Sequence, residues 1–193
     1  MSGAWLREEQ ADLAVDKILE AAAGAYADLG VARTRMGHIA QYAGCSRGTL
    51  YRYFKTRSEL DLAYINRSAR LLSAHLKREL AEIKDPRNRM VEGILRAVQE
   101  VRGSPGMSAW FDPRASGRTA RISHGSRVIN TLSIAFVEQV LGLDQHDPAS
   151  EQRGRWLVRV VVSLLTMPGE SAEEERMLVE RFIAPGLMDE AAA

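Results

Sequence analysis

The sequence predicts an all-α protein, a small three-helix lobe followed by a larger helical one, and three observations support this. Apolar residues recur at the 3.6-residue period of an amphipathic helix from Val15 onward. No stretch alternates with the period of two that a half-buried strand requires. The glycines and prolines mostly cluster between the periodic segments, as helices joined by loops demand. With 193 residues, 46% hydrophobic and 26% charged, the chain can form one good core or two small ones, and no internal repeat divides it. We place the lobe boundary after residue 57, giving lobes 1–57 and 58–193.

The first helix is expected from Asp12 to Gly30, with Val15, Ile18, Leu19, Ala22 and Tyr26 on one stripe and Gly30 as its left-handed stop. Thr34 offers an N-cap for a short helix through Tyr42, which Gly44 closes. Ser46 caps a third helix from Arg47 to about Phe54. In "KTRSEL" Thr56 and Glu59 have capping-box spacing, opening a long helix toward Ile83 with Leu60, Tyr64, Leu71, Leu72 and Leu76 among its apolar positions. Pro86 breaks that helix and suits the first turn of the next, expected from Asn88 to Val101. "RGSPGMSAWFDPRASGR" reads as loop with short helical turns, and helices resume at Ser126–Leu141, Ser150–Thr166 and Ala172 to about Leu187.

Composition narrows the function classes. Cys45 is the sole cysteine, so no internal disulfide forms, and a reducing cytoplasm is expected. The N-terminus does not read as a secretion signal, and the longest apolar runs, such as "VVVSLLTM", fall short of the roughly 20 residues of a membrane span. His38, His75, His124 and His146 are scattered. With no metal-ligand pair, Cys-x-x-Cys or phosphate-cradling glycine loop, an enzyme is not expected, and neither is a cofactor or metal.

The net charge of +1 is uninformative, but its distribution is not. Between Arg33 and Arg70 stand Arg33, Arg35, Arg47, Arg52, Lys55, Arg57, Arg67 and Arg70 against only Glu59 and Asp61. Such a basic lobe suits a polyanion. In "HIAQYAGCSRGTLYRYF" Ile39, Ala43, Cys45, Leu50 and Tyr53 face inward if two short helices cross at Gly44, with Ala40 small at the crossing. That is the spacing of a helix-turn-helix, whose second helix enters the DNA major groove. The outward face then carries Arg47, Gly48, Thr49, Tyr51 and Arg52. Arginine matches guanine O6 and N7, and a threonine methyl meets a thymine methyl. Tyr51, Lys55 and Arg57 lie where phosphate contacts would. The competing reading is a helical adaptor whose basic lobe binds an acidic protein without base preference.

Lys17 to Asn66 resembles the DNA-binding domain of TetR-family transcriptional regulators, through "ILEAAAGAYADLG", "HIAQYAGCSRGTLYRYF" and "KTRSEL". The resemblance implies a dimer on a palindromic double-stranded operator, released by a small-molecule effector held in the C-terminal helices. It assigns base contacts to Arg47, Gly48, Thr49 and Arg52, and phosphate contacts to Tyr51, Lys55, Arg57 and, at the start of the second helix, Thr34. Gly37 and Arg35 depart from the family pattern: Gly37 replaces a long polar residue, and Arg35 is a substitute for its reach. Cys45 takes the place of a valine or isoleucine and is expected to be a small buried hydrophobe.

By the same resemblance, "RWLVRVVVSLLTMPG" and "EERMLVERFIAPGL" pair as the helices of a homodimer interface. The first is apolar nearly all round, so Arg159 within it requires an acid, either Glu170 or one in "AEEER". Met107, Trp110, Phe111, Phe136 and Trp156 are the large middle-region residues expected to line a pocket for an apolar effector.

Overall fold

The computed structural model describes residues 4–115, 126–144 and 148–188. Among the described residues every regular element is helical. In chain order these are α1 (Ala4–Leu29), α2 (Met36–Tyr42), α3 (Arg47–Tyr53), α4 (Arg57–Glu79), α5 (Pro86–Gly103) and α6 (Pro105–Ser108). Two 3-10 turns follow, Ala109–Phe111 and Pro113–Ala115, and then α7 (Arg127–Leu141), α8 (Pro148–Thr166), α9 (Ala172–Leu178), a π turn (Val179–Ile183) and α10 (Ala184–Met188). Residues 116–118 of the predicted loop, and His124 and His146, lie outside the described residues.

Helix α1 begins well ahead of the expected Asp12. Nothing between Ala4 and Asp12 breaks a helix, and Glu9, Gln10, Asp12 and Leu13 at its described part are exposed. The final expected helix is interrupted by the π turn at Val179–Ile183.

The chain divides into two compact units. The first holds α1–α3, the start of α4 as far as Ile65, and the segment from Pro105 through the two 3-10 turns. The division thus falls inside α4 rather than at its start, and a distant segment joins the N-terminal lobe. Trp110 is the reason: its ring sits 5.4 Å from that of Tyr26 and 6.3 Å from that of Tyr64, which are themselves 4.9 Å apart. Gly106 permits the approach, because a Cβ there would lie 2.9 Å from both the Ala23 carbonyl oxygen and the Tyr64 hydroxyl. Trp110, expected at a ligand pocket, is instead fully buried core of this unit.

The second unit is built on Met90, Ile94 and Val98 of α5, Val137 of α7, Leu157, Val160 and Leu164 of α8, and Val179 and Leu187 near the C-terminus. Helices α7 and α8 cross closely at Gly154, where a Cβ would come within 2.9 Å of the Ile134 backbone nitrogen. Phe136 packs against this core, its ring over Gly93 of α5. Arg102 donates two hydrogen bonds to the buried Glu175 carboxylate, at 2.8 and 2.6 Å, and one to the Leu164 carbonyl at 2.9 Å. The Arg102 guanidinium, with the Gly169 N–H, holds the Glu175 carboxyl below the usual carboxylate range despite its burial.

Two expectations are corrected here. Arg159 is exposed and needs no internal partner; the interior acid of "AEEER", Glu175, serves Arg102. Trp156, expected to line a pocket, is 47% exposed on the same helix. Leu71 of α4, expected on an apolar stripe, is also exposed.

Candidate nucleic-acid interface

The interface is assembled from local signals. Helix α2 ends in a left-handed Gly44 at φ +65°, where most residues would be strained. The Cys45 N–H donates to the Ala40 carbonyl at 3.0 Å and the Gly44 N–H to the Gln41 carbonyl at 3.1 Å, the paired bonds of a Schellman stop. Ser46 then caps α3, its Oγ accepting from the Thr49 N–H at 3.1 Å and lying 3.0 Å from the Thr49 hydroxyl. Beneath the pair, Ile39, Ala40, Ala43 and Leu50 are buried as expected. Cys45 and Tyr53 are only half-buried, so the thiol is not the core residue the pattern implied.

Helix α4 starts from the expected cap: Thr56 Oγ1 accepts from the Glu59 N–H at 3.1 Å, and Glu59 reaches back to accept from the Lys55 N–H at 2.9 Å. These joints leave one face in solvent. Arg35, Arg47, Gly48, Tyr51, Arg52 and Lys55 are exposed and Thr49 is half-exposed. The Arg47 side chain does not simply project from α3; its guanidinium lies against Gly37 of α2.

Two expected contacts face the other way. Thr34 is 4% exposed, and its hydroxyl donates to the Ala25 carbonyl at 3.1 Å and the Gly30 carbonyl at 2.7 Å. It does not cap α2; Arg35 occupies that position, its N–H donating to His38 Nδ1 at 3.3 Å. Arg57 is drawn inward by Asp61, a wholly buried carboxylate 2.6 Å from its Nε. Arg57 also donates to the Thr34 carbonyl and, at 3.3 Å, to the Val31 carbonyl, and its Cζ stands 5.1 Å from the centre of the Tyr26 ring.

The Tyr26 hydroxyl completes this cluster, donating to the same Asp61 oxygen at 2.7 Å. Burial and the Asp61 carboxylate push the Tyr26 hydroxyl well above the ordinary tyrosine range, so it remains a donor. In the sequence only the i,i+4 spacing of Arg57 and Asp61 signals this cluster, through the ion pair.

A helix-turn-helix of α2 and α3, flanked by α1 and the start of α4, matches the family described as bacterial regulatory proteins, tetR family, over residues 18–64. An uncharacterized HTH-type transcriptional regulator of Mycobacterium tuberculosis is 36% identical over 190 residues, which cover 98% of this chain and 93% of that protein. The chain belongs to the TetR family. Solved TetR structures share the fold at lower identity. A TetR transcriptional regulator from Rhodococcus sp. RHA1 superposes with a TM-score of 0.69 at 19% identity, over 95% of this chain and 98% of its own. RolR, solved in complex with resorcinol, gives 0.67 at 16% identity, over 94% of this chain and 88% of its own. As a TetR-family member the protein is a transcriptional regulator with a helix-turn-helix DNA-binding domain. No helix among its described residues is long and apolar enough to cross a membrane.

Proposed function

We propose that this regulator is a homodimeric cytoplasmic repressor that occupies a palindromic operator through α2 and α3 of each subunit and leaves it on binding a small apolar ligand. The exposed face of α3 carries the reading: arginine, threonine and a glycine stand on a helix that its own cap and the Gly44 turn hold rigid. Arg52, Thr49 and Gly48 face base edges, while Tyr51, Lys55 and Arg35 meet phosphates. Occupying a promoter requires only DNA binding, which favours repression over activation.

Exposed apolar surface supports the dimer. Trp156 of α8, Met167 just beyond it, and Phe182 of the π turn are 47%, 70% and 63% exposed, on elements a second copy would cover. Of the five large residues expected at a pocket, Phe136 packs against the second unit's core, while Met107 and Phe111 are half-buried in the first. RolR, which shares the fold, was solved with the small molecule resorcinol, which supports a small-molecule effector here.

Selection of bound sequences from random duplex tests the reading. The selected site should be palindromic and preferred over random duplex by about 10³ or more. Arg52→Ala should cost about 1–3 kcal/mol and relax one base position, whereas Lys55→Ala should weaken all duplexes alike and flatten the salt dependence by about one unit. Trp156→Glu should yield a monomer by light scattering. Equal losses on operator and random DNA for Arg52→Ala would contradict the base-reading role.

A further inference from the structure

We propose that Gly37 is a specificity-determining position that acts through Arg47: its missing Cβ seats the Arg47 guanidinium on α2, making Arg47 a contact to the DNA backbone rather than a reader of bases. The inference rests on the regulator reading above and deepens it.

Arg47 is the first residue of α3. The N-terminal residues of a recognition helix ordinarily face base edges, whereas the preceding helix crosses the phosphate backbone. Here the side chain turns from the first position to the second. Its Nη2, Nε and Cζ lie 2.7, 2.9 and 3.1 Å from the point a Cβ on residue 37 would occupy. The whole guanidinium therefore rests on the bare Cα of Gly37, in space that any other residue would fill with carbon. No salt bridge or hydrogen bond within the described residues draws it there, so the seat is steric.

On α2 the Arg47 charge shares the first turn with Arg35, the exposed N-cap residue two positions before Gly37. Two guanidinium groups at the helix that crosses the backbone suit phosphate oxygens, which arginine engages with paired donors. Base reading then falls to Thr49 and Arg52, further along α3 and not seated on α2. A methyl group at position 37 would collide only with the far end of a flexible side chain. Gly37→Ala therefore unseats Arg47 without moving either helix, and alanine is the better helix former.

The experiment uses the full-length protein and compares wild type, Gly37→Ala, Arg47→Ala and the double variant. Thermal unfolding, sequence selection from random duplex, and binding to the selected site and to random duplex at several salt concentrations are measured for each. Arg47→Ala should weaken both duplexes by the same factor, lower the salt slope by about one unit, and leave the selected sequence unchanged. Gly37→Ala should melt no lower than wild type yet change the affinity severalfold or alter the selected sequence, and that effect should vanish when Arg47 is already alanine. Relaxation of a single base position by Arg47→Ala, or an effect of Gly37→Ala that persists without Arg47, would overturn the proposal. A wild-type protein that selects no sequence would instead sink the regulator reading itself, a separate outcome from loss of the coupling between 37 and 47.

Discussion

Arg57→Ala separates an internal role from a DNA contact. The Arg57 side chain is 16% exposed and the Asp61 side chain it pairs with is wholly buried, so water cannot replace the missing guanidinium at that carboxylate. Breaking a buried pair from one side costs about 3–5 kcal/mol. The hydrogen bonds to the Val31 and Thr34 carbonyls fall within that figure rather than adding to it, and the Tyr26 hydroxyl still donates to Asp61, which favours the lower end. At about 2–4 °C per kcal/mol for a chain of this size, the melting temperature should fall by about 6–20 °C. Arg57→Lys should lie between, since one ammonium cannot serve three acceptors at a guanidinium's spacing. The assay is thermal unfolding, paired with the salt dependence of DNA binding well below the transition. A variant as stable as the parent that loses about one unit of salt slope would restore Arg57 to the phosphate contacts and refute the internal role.

Three further outcomes are expected. Tyr26→Phe should cost about 1–3 kcal/mol by removing a buried hydrogen bond to a carboxylate. It should also change the alkaline limb: the raised Tyr26 value gives stability that is complete below about pH 10 and declines above it, and phenylalanine abolishes that decline on pH-dependent unfolding. Glu175 has the opposite sign. Arg102 lowers its value, so its contribution is present above about pH 4.3 and is lost as pH falls through the depressed folded value; Glu175→Gln should flatten the acid limb of the same titration. Gly154→Ala places a carbon 2.9 Å from the Ile134 backbone nitrogen and should destabilise by about 1–3 kcal/mol in denaturant unfolding, since a backbone cannot step aside as a side chain can.

The sequence was most legible where structure is decided within a few residues. Gly44, Ser46 and the Thr56–Glu59 pair act on backbone groups no more than five positions away, and each performs the expected joint. Thr34 shows where local chemistry misleads. A hydroxyl ahead of a helix reads as a cap, but the turn after Gly30 folds this one inward, onto carbonyls at the end of α1. Trp110 failed for a different reason: its partners Tyr26 and Tyr64 are distant in the chain, and no periodicity links them. Arg159 was misplaced because an apolar run suggested burial all round, whereas the helix keeps an exposed edge through Trp156 and Arg159.

Arginine plays both parts in the reading head, and the difference lies in what stands four residues away. Arg57 has Asp61 at i+4, is neutralised, and can then be buried against Tyr26 while its remaining donors hold the Val31 and Thr34 carbonyls. Those carbonyls belong to the loop that enters α2, so the buried pair fixes the helix-turn-helix to its support from behind. Arg52 has Thr56 at that spacing and Arg47 has Tyr51; neither can neutralise a guanidinium, and both arginines stay in solvent. A site that must hold several like charges toward a polyanion needs such a support, because its own face supplies repulsion rather than cohesion. Stability behind and unpaired charge in front are therefore two halves of one arrangement. A substitution at Asp61 should loosen the reading head although that carboxylate never meets DNA.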